Sequence, residues 1–149
     1  MRRSKEDLAS ESQIGFYKGV ALELAVALIL SFEGYRIRGL GQKLDSEEID
    51  IICEKGIGPS LRVLVCECKN VHRLIEYNDV DKLIERLRKV KDSLYSNLTA
   101  PIEGRFYTTS NFDQMAKDLA LSVRKFTVKL INGKKLKRLF AESGLKFPD

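Results

Sequence analysis

At 149 residues, 44% hydrophobic and 32% charged, the chain can bury one substantial core and has no room for a second, so residues 1–149 read as a single domain. The net charge of +5 and pI near 9.1 allow a polyanionic partner without requiring one. Three cysteines, all in strand-like runs, suit small buried hydrophobes in a reducing cytoplasm, and Cys66 and Cys68 with the single histidine, His72, fall short of four zinc ligands at any familiar spacing.

Met1 to Lys5 has the look of a signal n-region, but Glu6, Asp7 and Glu11 stand where an apolar run should follow, so residues 1–11 read as a flexible terminus. Ser12 to Phe32 predicts a long helix. Its apolar half, Val20 to Phe32, is too short to span a membrane and is interrupted by Glu23, which makes it a buried core helix. Taken alone, Glu23 is a carboxylate at the helix edge. Gly34 ends the helix and Tyr35 to Leu40 predicts a strand. Gly39 to Glu47 predicts a polar loop whose Gln42, Lys43 and Ser46 are either solvated or placed to touch a phosphate.

Glu48 to Cys53 and Leu61 to Lys69 are short runs rich in Ile, Val, Leu and Cys, separated by the turn chemistry of Gly56 to Ser60, and predict a β-hairpin. Alternation puts Glu67 and Lys69 on one face, Cys66 and Cys68 on the other, and Asp50 opposite Ile49 and Ile51, with Glu48 sharing Asp50's face. Two carboxylates and an ammonium amid apolar strands are costly unless they pair or hold a metal. A hard divalent cation takes oxygen ligands, so Asp50 and Glu67 suit a metal. Lys69 suits the positioning or deprotonation of a water and the neutralising of transition-state charge. His72, close by in sequence, reads as a surface or phosphate-contacting residue.

Asp79 to Leu98 predicts a helix whose Val80, Leu83, Ile84, Leu87, Val90 and Leu94 form a core stripe. Its Arg86, Arg88, Lys89 and Lys91, balanced by acids, read as a solvated face. Arg105 to Thr109 predicts a strand. Asn111 with Gln114 predicts a capped helix to Val123, Phe126 to Ile131 a last strand, Asn132-Gly133 its turn and Lys134 to Glu142 a final helix. Arg124, Lys125, Lys129, Lys134, Lys135, Lys137 and Arg138 fall in a stretch without acids, a candidate phosphate-backbone surface of which Lys125, Lys129, Lys134 and Lys135 are the named contacts. The order α-β-β-β-α-β-α-β-α gives an α/β domain with a mixed sheet.

Asp50 followed on the next strand by Glu67-Cys68-Lys69 resembles the PD-(D/E)xK nucleases, and most closely the Mrr-like restriction endonucleases and archaeal Holliday-junction resolvases. Glu23 precedes Gly34-Tyr35 by 11 residues, as in the family's first helix, and Tyr107 to Phe112 with Ala116 and Ala120 is similar to its strand-to-helix step. The likeness runs from about Gly15 to Leu139. Two departures are Ile49 in place of the proline often found before the first acid, and Glu67 where Mrr-like members often have Gln. The resemblance implies a restriction-endonuclease-like mixed β-sheet flanked by helices, and Mg2+, with Mn2+ as a substitute, held by Asp50 and Glu67. It implies catalytic roles for Asp50, Glu67 and Lys69, with Glu23 aimed at the site. It also implies DNA as substrate, a homodimer or a DNA-targeting partner protein, and no membrane. The chain lacks room for a separate DNA-reading domain, so cleavage is expected to be structure-selective or partner-guided. The alternatives are a nucleic-acid-binding module of the same fold that does not cut, and a structural domain in which Glu67, Lys69 and Asp50 only pair.

Overall fold

The computed structural model describes residues 11–97, 99 and 101–145; the rest of the stretch read as a flexible terminus, up to Ser10, lies outside them. The elements are α1 (Glu11–Phe32), β1 (Arg36–Leu44), β2 (Glu47–Lys55), a 3-10 turn (Gly58–Ser60), β3 (Arg62–Lys69), α2 (Tyr77–Leu94), β4 (Ile102–Thr108), α3 (Gln114–Ser122), β5 (Thr127–Ile131) and α4 (Gly133–Ser143). The expected order of helices and strands is the observed one. The sheet has five strands in the order β1-β2-β3-β4-β5, antiparallel from β1 to β3 and parallel from β3 to β5. Among the described residues no helix is long and apolar enough to cross a membrane.

Both faces of the sheet are covered, which is why β2 and β3 read as nearly unbroken apolar runs. Alternate residues of β3 go to opposite cores. Val63 and Val65 join the α2 and α3 side with Val80, Leu83, Leu87 and Ala116, while Leu64 and Cys66 join the α1 and α4 side with Leu22, Val26, Leu30, Leu136 and Phe140. Val80, Leu83, Ile84, Leu87 and Val90 of the α2 stripe are buried as their spacing predicts, while Leu94, in the last turn, is exposed; Glu76 N–H donates to Asp79 Oδ2 at 2.9 Å in the first turn.

Two local expectations are corrected. The polar loop after Leu40 is instead the second half of β1, with Gln42 opposite Ile49 and Lys43 opposite Glu48. Only Asp45 and Ser46 turn the chain, at φ 50° and 68°, the paired positive values of a two-residue hairpin turn. Pairing to a buried strand outweighs the poor strand propensity of Gly39 and Gly41. The cap of α3 is Asp113, whose carboxylate accepts from Ala116 N–H at 2.8 Å, and not Asn111, whose Oδ1 accepts from Phe112 N–H at 2.9 Å.

The feature that makes a site is where the hairpin stops pairing. The β2–β3 ladder runs from Lys55–Arg62 to Ile51–Cys66 and ends there. Beyond it β2 stays with β1, while Glu67 and Lys69 stay with Phe106 and Thr108 of β4. Strict alternation in β2 fails at the same point, since Ile49 enters the α2-side core and Ile51 the α1-side core. A gap therefore opens between Asp50 and Glu67, reached by α1 from one face and α2 from the other.

Candidate metal and catalytic site

The splayed end gathers carboxylates from three elements. Glu23 of α1 with Glu48 and Asp50 of β2 place ligand oxygens all within 4.8 Å of one another, and Glu48 is the most exposed. Asp50 Oδ2 accepts the Cys68 N–H at 2.8 Å, a backbone donor that the splayed ladder leaves free. The Glu23 carboxylate takes the N–H of Gly41. Gly41 itself sits at φ 60°, where a side chain would be strained, and a Cβ there would lie 3.2 Å from Glu48 Oε1, so Glu48 would have to shift. Glu48, the lesser candidate in the sequence, thus belongs to the cluster as closely as Asp50 does.

Glu67 and Lys69 lie on the α2 side of the same gap. Glu67 is buried, and its Oε2 accepts from Arg86 of α2 at 2.7 Å. Lys69 Nζ donates to Asp79 Oδ1 at 3.0 Å, and Asp79 is also gripped by both Arg73 nitrogens, at 2.8 and 3.0 Å. Arg86 and Asp79 are residues that sequence reasoning missed. Arg86, assigned to a solvated face, turns inward to Glu67 and lies 3.9 Å from Glu47, while Lys89 takes Glu47 at 3.1 Å. The available signal was position: Arg86 directly precedes the buried Leu87, and Asp79 the buried Val80, on the inward edge of the α2 stripe.

Electrostatics mark this as a place short of positive charge. Glu23 is pushed up to about 7, first by burial, then by Asp50 and Glu48, against the Gly41 hydrogen bond. Glu67 is pushed up to about 8 by burial and then by Asp50, even though Arg86 and Lys69 pull it down. Asp50 is raised by burial, with the Cys68 N–H and Arg86 opposing. Carboxylates crowd this gap beside one guanidinium and one ammonium, so without a cation Glu23 and Glu67 hold their protons into the neutral range. Asp79, held by Arg73 in spite of its burial, goes the other way, well below the carboxylate range. Oxygen donors from three carboxylates, stabilised by an added positive charge, fit a hard divalent ion.

A pH dependence follows. Glu23 and Glu67 move from 4.5 in an unstructured chain to about 7 and about 8 on folding, so the folded protein binds the extra protons. The stability this gives is complete below pH 4.5 and is lost as pH rises through 7 and 8. Asp79 has the opposite sign but acts below its ordinary 3.8, outside this window. Urea midpoints of metal-free protein should fall from pH 5 to about 8.5, and saturating Mg2+ should flatten the fall. A metal-free midpoint that is level or rises across that range would contradict the assignment.

The remaining predicted contacts are dispersed. Gln42 lines a cleft with Arg38, Leu94 and Tyr95, and Lys43 is exposed on β1 opposite Glu48. Lys125 borders a cleft between α2 and the end of α3, Lys129 pairs with Glu103 at 3.3 Å, and Lys134 and Lys135 stand at the start of α4. His72 is exposed, and its carbonyl accepts from Ser110 Oγ at 3.4 Å.

A five-stranded mixed sheet between helices, with acids on β2 and Glu-x-Lys on β3 at its splayed end, is the restriction-endonuclease-like fold of PD-(D/E)xK type. The chain belongs to the Mrr catalytic family, described as restriction endonuclease, whose profile matches residues 17–140. Among curated proteins no sequence match reaches significance. Among solved structures the fold is similar to a protein of unknown function, AF1548, at TM-score 0.62 and 17% identity over 87% of this chain and 68% of that one. The restriction endonuclease AspBHI, described as DNA modification-dependent, aligns at TM-score 0.61 and 16% identity over 99% of this chain and 38% of its own. The restriction endonuclease MspJI, solved with a 27-mer oligonucleotide, aligns at 0.59 and 19% over 93% and 32%. The chain thus spans well under half the length of those two enzymes.

Proposed function

We propose that the protein is a divalent-metal-dependent DNA endonuclease, using Mg2+ with Mn2+ as a substitute, and structure-selective or guided to its target by a partner protein. The observation that carries this reading is the meeting of Glu23, Glu48 and Asp50 within 4.8 Å at the splayed hairpin end that also bears Glu67 and Lys69. Family membership and neighbours that are restriction enzymes support it. Asp50 would hold the ion with Glu23 and Glu48, and Glu67 would join through the oxygen that Arg86 does not take. An ion there neutralises charge at a phosphate and lowers the pKa of water. Lys69, anchored by Asp79, would offset the negative charge that builds on the phosphate. Arg86 keeps Glu67 in place and ionised when the site is loaded. Two such sites would act together in a homodimer.

The test is cleavage of a labelled panel, a four-way junction, a flap, linear duplex and single strand, with Mg2+, Mn2+ or EDTA. Metal-dependent cutting is expected, and cutting confined to branched substrates selects the structure-selective form. Binding without cutting under every metal would overturn the nuclease reading in favour of a non-cleaving module.

A further inference from the structure

Several cations around the acidic site and on the neighbouring strands pair with acids: Lys69 and Arg73 with Asp79, Arg86 with Glu67, Arg105 and Lys129 with Glu103. Four others converge on one cleft and form no ion pair among the described residues. Lys117 of α3 and Lys134, Lys135 and Arg138 of α4 line a cavity of about 320 Å³ with Asn111, Asn132, Phe112 and Leu130. No acid lines it. Four like charges around one concavity repel one another, and an anion in the cavity removes that cost.

The cleft is built and fixed in place. Asn132 Nδ2 donates to Asn111 Oδ1 at 3.4 Å, and Asn132 Oδ1 accepts from Lys135 N–H at 3.0 Å. Gly133 N–H donates to the Ser110 carbonyl at 2.8 Å, and a Cβ on Gly133 would run into the Thr109 carbonyl. The loop beneath is tied in turn to the end of β3, where Thr109 N–H and Thr108 Oγ1 both donate to the Lys69 carbonyl, at 3.2 and 2.9 Å. The cleft therefore keeps a set distance from Lys69. It stands at the same edge of the sheet, two strands over, or roughly 10 Å at ordinary strand spacing. The Gly133 and Lys135 amides at the start of α4 are engaged by Ser110 and Asn132, so the attraction for an anion rests chiefly on the side chains.

We propose that this cleft binds a backbone phosphate of the DNA strand whose scissile phosphate lies at the acidic site, about one to two nucleotides away, since successive phosphates of a strand wind around the axis as well as rising about 3.4 Å along it. The inference rests on the nuclease reading and deepens it: the cleft sets where along the strand the cut falls. Phosphate contacts fix register without reading sequence, which suits an enzyme selective for shape.

The experiment compares the parent with Lys134→Met/Arg138→Gln, both exposed side chains, and with Lys117→Met on a different helix. The control is Arg62→Gln/Lys82→Met, an equal loss of charge at exposed positions elsewhere. Duplex binding is followed by fluorescence anisotropy in EDTA across about 50 to 200 mM salt, and cleavage is measured with Mg2+. The double variant should bind about tenfold more weakly, with a salt slope smaller by about 1. Its KM should rise with kcat unchanged within about twofold, as for an interaction made equally in ground and transition states. A neutral methylphosphonate at about the first or second phosphate from the cut should weaken the parent and leave the variant unaffected. Affinity and salt slope equal to the control's would overturn the proposal, as would a loss seen only on substrates with a 5′-terminal phosphate, which would make this an end-binding pocket. A parent that binds but does not cut removes the nuclease reading while the salt slope still decides the cleft; a parent that binds no DNA removes both.

Discussion

Replacing Asp50 by Asn is expected to lower the rate of metal-dependent cleavage by about 10²- to 10³-fold, the scale of losing one group that stabilises transition-state charge. It should do so without loosening the fold. An Asn at 50 retains an oxygen to accept the Cys68 N–H, now 2.8 Å from Oδ2, so the splayed strand keeps its one cross-strand tie. Asp50 is also the largest nearby charge raising Glu23 and Glu67, and removing it relieves the repulsion that the empty site imposes. The metal-free variant should thus melt at or above the parent near pH 8. The two should diverge on adding Mg2+: the parent gains stability by mass action, and the variant gains little. A variant that still cuts and still responds to Mg2+ would remove Asp50 from the site.

The fold was legible because its determinants are local. The β2 and β3 runs, the spacing of Val80, Leu83, Leu87 and Val90, and the turn chemistry between them depend on neighbours in sequence, and each element appears at or near its expected place, α2 as Tyr77–Leu94 against an expected Asp79 to Leu98. What was not legible depends on partners distant in the chain. Gln42 and Lys43 look like loop residues until pairing with Ile49 and Glu48 makes them strand. Arg86 looks solvated until α2 crosses the sheet and sets it 2.7 Å from Glu67. The alternation rule gave Glu48 and Asp50 a common side but could not foresee that β2 parts from β3 at Asp50, which is what lets Glu23 join them from α1. The grouping of Lys125, Lys129, Lys134 and Lys135 was compositional. Folding scatters the run and draws Lys117, which precedes it on a different helix, into the cleft with Lys134 and Lys135.

Replacing Lys69 by Met should separate metal binding from chemistry, which Asp50→Asn cannot do. Lys69 Nζ meets Asp79 and lies in the field of Asp50 and Glu67, but it offers no lone pair to a cation while charged. Its loss should therefore cost about 10²- to 10⁴-fold in kcat, the range for a positioned proton-transfer group, with the Mg2+-induced gain in stability retained. The fold should tolerate the change. Asp79 keeps both Arg73 contacts and the Glu76 N–H, so the pair that is lost, one partner of which is about a third exposed, contributes about 1 kcal/mol or less. Asp79→Asn should then fall between parent and Lys69→Met, because the ammonium remains but its anchor weakens. If Lys69→Met cuts like the parent, Lys69 serves only to neutralise Asp79. If it instead loses the Mg2+ response together with activity, the ammonium is needed to assemble the carboxylates, and its place in the reaction passes to another group.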